Sequence, residues 1–275
     1  MNVSDLTGIV YSRRAAIQSA FYEILYFSLF PNLPNSSRGE VATLIRFFVS
    51  LPSLQELLDT IMHRSGVRVL VKGVFCHVSG RTGPVVDFDK PSPGRGCEIC
   101  DLLVLVTYGV GTKMSLGNAV FLQAKLTRDD LKGGSSTDRQ RELYEKAPEF
   151  RFRYSDKYIT ALGEPKVPGT RQMPPKDYGG FCYWPFTTHS GSTKFPVNSS
   201  TVIVPNSVQH PRDDVAFGEA LLGLMIGKFG EQVRPAKKNE FGWNRIVHDV
   251  VFRSMHEALR CSGGIKDVKT LAHFS

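Results

Sequence analysis

Asp101-Leu-Leu-Val-Leu-Val-Thr-Tyr108 and Asn118-Ala-Val-Phe-Leu-Gln-Ala-Lys125 are two apolar runs of strand length, separated by a loop that carries Gly109, Gly111 and Gly117. A strand that is apolar at nearly every position is buried on both faces, so the pair predicts an antiparallel hairpin inside a sheet. With Tyr108 near Ala119 at the loop end, the far ends also meet and Asp101 comes close to Lys125. A register error of one or two residues moves those ends by about 3–7 Å at the rise of a strand, and the convergence survives it. Gln123 and Lys125 are two apart and share a face, while Ala124 points away.

Working outward, Arg13 to Phe30 reads as a helix, because Ile17, Phe21, Ile24 and Leu25 recur at steps of three and four before Pro31 ends it. Arg38 to Ser50 reads as a second helix. Ser53-x-x-Glu56 has the form of a capping box and predicts a third, running to about His63. From Val67 the period shortens to two, with Val67, Val69 and Val71 alternating with Arg68, Leu70 and Lys72, and a strand is expected through Val78. Ser79 to Gly96 reads as a loop.

Beyond the hairpin, Asp138 to Lys146 predicts a short helix closed by Pro148. Residues 164–200 are rich in Pro, Gly, Ser and aromatics, with a strand near Phe181 and another over Thr201–Pro205. Asp213 and Asp214 are placed to cap an apolar helix to about Phe229, and Trp243 to Arg260 forms the last helix. The organisation expected is an α/β domain, a central mixed sheet flanked by helices over residues 1–212. A C-terminal helical extension, 213–275, would pack on it or make an interface.

The hairpin brings a carboxylate, an amide oxygen and an ammonium to the end of an apolar element. Burying such groups without partners costs several kcal/mol each by transfer data, so something must compensate them. A structural Asp101–Lys125 ion pair and a catalytic site explain that arrangement equally well from spacing alone.

Asp101 opening one apolar strand and Gln123-Ala-Lys125 closing the next resemble the Asp…(Asp/Glu)-x-Lys signature of the PD-(D/E)XK nuclease superfamily, in the Gln-x-Lys variant of Mrr-type restriction nucleases. Gln140-Arg-Glu-Leu-Tyr144, on the helix after the lysine strand, resembles the Gln-x-x-x-Tyr motif of RecB-like members. The resemblance covers roughly residues 10 to 160 and implies a restriction-endonuclease-like fold and metal-dependent hydrolysis of DNA phosphodiesters. Asp101 and Gln123 would hold Mg²⁺ or Mn²⁺, with Glu98 or Glu23 as a further carboxylate. Lys125 would act in catalysis, and Gln140 and Tyr144 would contact the nucleic-acid backbone, though an amphipathic helix residue that only packs explains Tyr144 equally well. Gln123 departs from the acidic residue of the pattern and removes one negative charge from the site, so a catalytically inactive member that binds nucleic acid or scaffolds a complex is the alternative. The family further implies an effector or subunit of a prokaryotic defence or restriction system, beside a helicase or sensor.

Composition agrees with a nucleic-acid partner without demanding one: 34 Lys and Arg stand against 26 Asp and Glu, a formal charge of +8. Arg151-Phe-Arg153-Tyr interleaves basic and aromatic residues as single-strand binders do, and an alternating strand explains it as readily. Cys97-Glu-Ile-Cys100 has zinc-knuckle spacing but no second pair follows, and the odd count of 5 cysteines makes no disulfide framework. His189, His210, His248 and His256 lack partner spacing for a metal. Gly109-Val-Gly111-Thr-Lys113 joins two strands where a phosphate loop would open a helix. Leu221, Leu222, Leu224, Met225 and Ile226 surround their helix, which suits a core or an interface that docks a partner. No span approaching the ~20 apolar residues of a membrane helix is evident, and a cytoplasmic protein, monomeric or homo-oligomeric, is expected.

Overall fold

The computed structural model describes residues 3–29, 40–76, 84–88, 96–110, 113–127, 135–146, 148–153, 171–172, 180–187, 201–202, 215–234 and 242–261. The chain enters through helices α1 (Val3–Ser12), α2 (Arg14–Leu29) and α3 (Glu40–Met62). The last corrects the expectation of two helices, for α3 runs through Pro52 without a break. Leu44, Phe47, Leu51, Leu54, Leu58 and Met62 keep one stripe at steps of three and four across the proline, all buried in one core. An internal proline costs about 3 kcal/mol. Each buried Leu or Met beyond it returns roughly 1.5–3 kcal/mol, which decides for continuity. Ser53 therefore lies exposed inside the helix and caps nothing.

β1 (Val67–Phe75) shows the expected alternation, with Val67, Val69 and Val71 buried and Arg68 exposed. Two strands fall within or beside the stretch read as loop, β2 (Val85–Phe88) and β3 (Cys97–Glu98). The hairpin follows as β4 (Leu102–Val110) and β5 (Lys113–Thr127), then α4 (Ser135–Lys146), β6 (Glu149–Phe152), β7 (Arg171–Gln172) and β8 (Phe181–Thr187). The chain continues with β9 (Thr201–Val202), β10 (Val215–Ala216), α5 (Phe217–Ile226), β11 (Glu231–Val233) and α6 (Trp243–Cys261). Helix α5 starts later than expected: Val215 and Ala216 pair with β9, and Ala216 occupies the N-cap without a side-chain cap bond. Asp213 and Asp214, read as caps, lie outside the described residues, as do Pro31, His189 and His210.

The main sheet is mixed. β4 pairs antiparallel with β1 on one side and with β5 on the other. The far edge of β5 is shared by β11, antiparallel over Gly117–Ala119, and by β8, parallel from Phe121 onward. A parallel neighbour requires a crossover, and α4 lies in that connection. A smaller sheet runs in the order β3-β2-β6-β7.

Hairpin register corrects one expectation. Leu102 faces Leu122 and Tyr108 faces Leu116, with an irregularity at Tyr108/Gly109, so Asp101 comes level with Gln123 and not with Lys125. The reason is that Gly109–Val110 and Lys113–Gly117, read as loop, are themselves paired, which closes the hairpin nearer its tip.

Side-chain parity then divides the interior. Leu102, Val104, Val106, Val120, Leu122 and Ala124 pack with residues of α1, α2, α3 and α5. Leu103, Leu105, Ala119 and Phe121 pack on the other side with α4, α6 and the smaller sheet. The architecture is thus α/β, a mixed sheet flanked by helices. The chain from 213 onward is more than a helical extension, since it adds β11 to the sheet as well as α5 and α6 to its faces. Leu221, Leu222, Leu224, Met225 and Ile226 belong to the core, which removes α5 as a free docking helix. By length and composition alone, Val41–Met62 of α3 is long and apolar enough to cross a membrane, against the reading that no span approaches that length.

Gly230 turns the chain from α5 into β11 at φ +72°, and a Cβ there would meet Leu224 and lie 2.7 Å from the Ala119 carbonyl oxygen. Gly66 has the same φ of +72° with nothing within 4 Å. Gly230→Ala is expected to cost about 3 kcal/mol or more in urea unfolding. Gly66→Ala, which carries only backbone strain, should cost about 1–2 kcal/mol. Equal losses would contradict the close approach of this turn to β5.

Candidate functional site

Asp101 sits immediately before β4, where three strands meet. Its carbonyl accepts the Cys76 N–H at 2.8 Å and its own N–H donates to Leu122 O at 3.0 Å, which wedges the backbone between the ends of β1 and β5. Its carboxylate accepts the Ala124 N–H at 2.8 Å and a short hydrogen bond from the Gln123 side-chain amide. Where the β4–β5 ladder ends, the Asp101 side chain takes over as acceptor. Asp101 and Gln123 are each only 1% exposed. A carboxylate so far from water is tolerated because donors meet it directly.

The odd parity that carries Leu103 and Phe121 toward α4 carries Asp101, Gln123 and Lys125 the same way. Lys125 is half-buried and, among the described residues, makes no ion pair, so the structural Asp101–Lys125 bridge does not form among them. The buried Gln123 Oε1 has no hydrogen-bond partner among the described residues. An orphaned buried acceptor costs about 1–3 kcal/mol, which makes this amide oxygen the conspicuous polar atom of the site.

Helix α4 closes over this face. Tyr144 is buried, its ring 4.8 Å from that of Phe181 and 5.3 Å from that of Tyr183, the β8 residue that pairs with Gln123. Its hydroxyl donates to Ile99 O at 2.5 Å, fixing the backbone two residues before Asp101. Burial pushes this phenol well above its ordinary pKa, so it remains a donor. Tyr144 therefore packs and positions, in line with the second of the two roles expected for it. Gln140, one turn earlier on α4, is buried with an Oε1 that also lacks a partner among the described residues.

The remaining expected residues divide. Glu98 is half-buried on β3 opposite Val85, in the smaller sheet and three residues before Asp101. Glu23 is exposed on α2, lining a cleft with Glu56 and Thr60 of α3. Those helices pack on the opposite side of the main sheet, so Glu23 is not a ligand of this site. Arg153 donates through Nε and Nη2 to the two oxygens of Asp87 at 3.0 and 2.8 Å, an ion pair inside the smaller sheet that occupies its guanidinium. Arg151 stays exposed on β6. Burial pushes the Cys97 thiol up to about 12 and raises Cys100 well above its usual value, which opposes the thiolate form that a metal takes.

Two partnerships were not anticipated: the Ala124 N–H on Asp101, and the Arg245–Asp249 ion pair at 2.8 Å buried on α6. The second was visible as an i,i+4 spacing that helix geometry alone does not distinguish from a surface pair.

In donor type the site suits a hard cation. The Asp101 carboxylate and Gln123 Oε1 are oxygens, and turning the amide so that Oε1 faces Asp101 sets both toward one ion. Among the described residues no group of three His, Cys, Asp or Glu could hold a metal, so affinity would rest on one formal charge completed by water and phosphate oxygens. Comparison of the chain with protein-family models, with curated proteins and with solved structures finds no match.

Asp101→Ala strands the Ala124 N–H and the Gln123 amide in a buried place and is expected to lose about 2–4 kcal/mol in urea unfolding. Lys125→Ala should stay within about 1 kcal/mol of the parent, as a residue with no structural partner does. A larger loss for Lys125→Ala would make the lysine a structural residue.

Proposed function

We propose that the chain is a metal-dependent DNA endonuclease of the PD-(D/E)XK type with a restriction-endonuclease-like core. One observation carries this reading: the Asp101 carboxylate is bonded to Gln123 and to the Ala124 N–H, with Lys125 half-buried on the same face two residues further along β5. The mixed sheet flanked by helices supports it, as does α4, whose Gln140 and Tyr144 stand on the element that follows the lysine strand. The formal charge of +8 suits a phosphate backbone.

In this reading Asp101 and Gln123 hold Mg²⁺ or Mn²⁺, which when bound polarises a phosphoryl oxygen and makes a coordinated water more acidic. The Lys125 ammonium, on the same face as Asp101 and Gln123, would orient an attacking water and offset charge growing on the phosphoryl oxygens. Tyr144, through Ile99, holds Asp101 in place. Work beside a helicase or sensor subunit in a prokaryotic defence system, in the cytoplasm, rests on the family resemblance alone.

A second reading is a non-catalytic member that binds nucleic acid or scaffolds a partner. It is favoured by the neutral Gln123 donating to Asp101 with both residues out of contact with water.

Purified protein with Mg²⁺ or Mn²⁺ is expected to nick supercoiled plasmid, and Lys125→Ala to abolish nicking while unfolding like the parent. An inert parent with both metals sinks the catalytic reading. Calorimetry separates the two: Mn²⁺ binding that Asp101→Asn removes and Gln123→Glu strengthens by about tenfold or more, through the added charge, favours the enzyme. The absence of any metal heat favours the scaffold.

A further inference from the structure

On the side of the main sheet away from Asp101, α2 and α3 leave between them an open cleft of about 510 Å³. Ile24, Phe27 and Leu57 give it an apolar floor, and Glu23 and Glu56 stand at it with two carboxylates. Neither carboxylate forms an ion pair among the described residues. Apolar side chains also line the neighbouring outer surface: Phe27 is 59% exposed, Val49 61%, Tyr26 49% and Ile45 44%. Ile45 and Val49 are one helical turn apart on α3, and Val49 is one turn before the cleft residue Ser53. Single exposed apolar residues are ordinary, whereas a run of them across two adjacent helices beside a cleft marks an interaction surface.

From this we infer that the α2–α3 face docks a partner protein through a short amphipathic helix whose apolar side chains fill the cleft and whose flanking Lys or Arg meet Glu23 and Glu56. The mode is a helix laid in a groove, read by anchors one turn apart. Charge selects the occupant. A second copy seated face to face would set Glu23 and Glu56 against themselves, since a two-fold contact is made of the same patch twice. An anionic bilayer surface would meet the same two carboxylates with repulsion. A cationic helix is attracted by both and buries the floor. The proposal is independent of the nuclease reading, because Asp101, Gln123 and Lys125 lie across the sheet.

The test uses the full chain and a fluorescein-labelled helical peptide of about 15 residues, four turns long, with Leu at i, i+3 and i+7 and Lys beside them. Fluorescence anisotropy should show binding, and the same peptide with Glu for each Lys should bind at least about tenfold more weakly, as two opposed charge pairs turned repulsive require. Glu23→Lys with Glu56→Lys should reverse that preference, and Val49→Asp should weaken both peptides. The proposal is overturned if neither peptide binds, if both bind alike, or if charge reversal changes nothing; the peptide pair tests this on the unaltered chain, whatever the variants' stability. Two further outcomes also overturn it. One is a dimer in sedimentation that Val49→Asp dissolves, which makes the face a contact between copies. The other is uptake by phosphatidylserine vesicles that the Lys peptide does not compete away, which makes it a membrane surface.

Discussion

A buried carboxylate at the meeting of three strands is the constraint on which the structure turns. Asp101 is held by its backbone between Cys76 and Leu122 and by its side chain on Ala124 and Gln123. Each partner comes from β5 or from the end of β1, so the bonds form only when β1, β4 and β5 take the register observed. A slip of one residue would turn Gln123 and Lys125 to the helical core of α2 and α3 and send Leu122 and Ala124 the other way. Desolvation makes that outcome expensive. The polar cluster thereby specifies the pairing of strands whose apolar sequences would otherwise tolerate several registers.

The same parity separates two surfaces. Toward α4 and α6 the sheet presents the Asp101 cluster, roofed by Tyr144 and the aromatic side chains of β8. Toward α2 and α3 it presents mainly apolar side chains, with Asn118 donating its amide to the Tyr108 hydroxyl and to Leu224 O of α5, and Glu23 and Glu56 belong to the outer cleft. β5 serves both, since its length lets β8 and β11 share one edge while β4 covers the other.

Much of this was legible in the residues. The apolar hairpin, the common face of Gln123 and Lys125, the α2 stripe and a strand at Phe181 follow from periods of two and of 3.6, which local sequence carries directly. What escaped was decided at longer range. Ser53-x-x-Glu56 reads as a helix start until the buried stripe on both sides of Pro52 is seen to be one. Gly109–Val110 and Lys113–Gly117 read as loop because glycines hide pairing that the partner strand imposes. Arg153 and Tyr144 carry chemistry that suits a nucleic acid, yet Asp87 and Ile99 claim them through contacts between segments far apart in the chain. Glu23 is a helix residue whose side of the sheet no local pattern reveals.

Crystals soaked in Mn²⁺, with anomalous density recorded at the manganese edge, would show whether Asp101 and Gln123 hold a cation. The account predicts a peak about 2.0–2.5 Å from an Asp101 carboxylate oxygen and from Gln123 Oε1, with the amide reversed from its metal-free direction. Density elsewhere only, with Gln123 still donating its amide to Asp101, would contradict it.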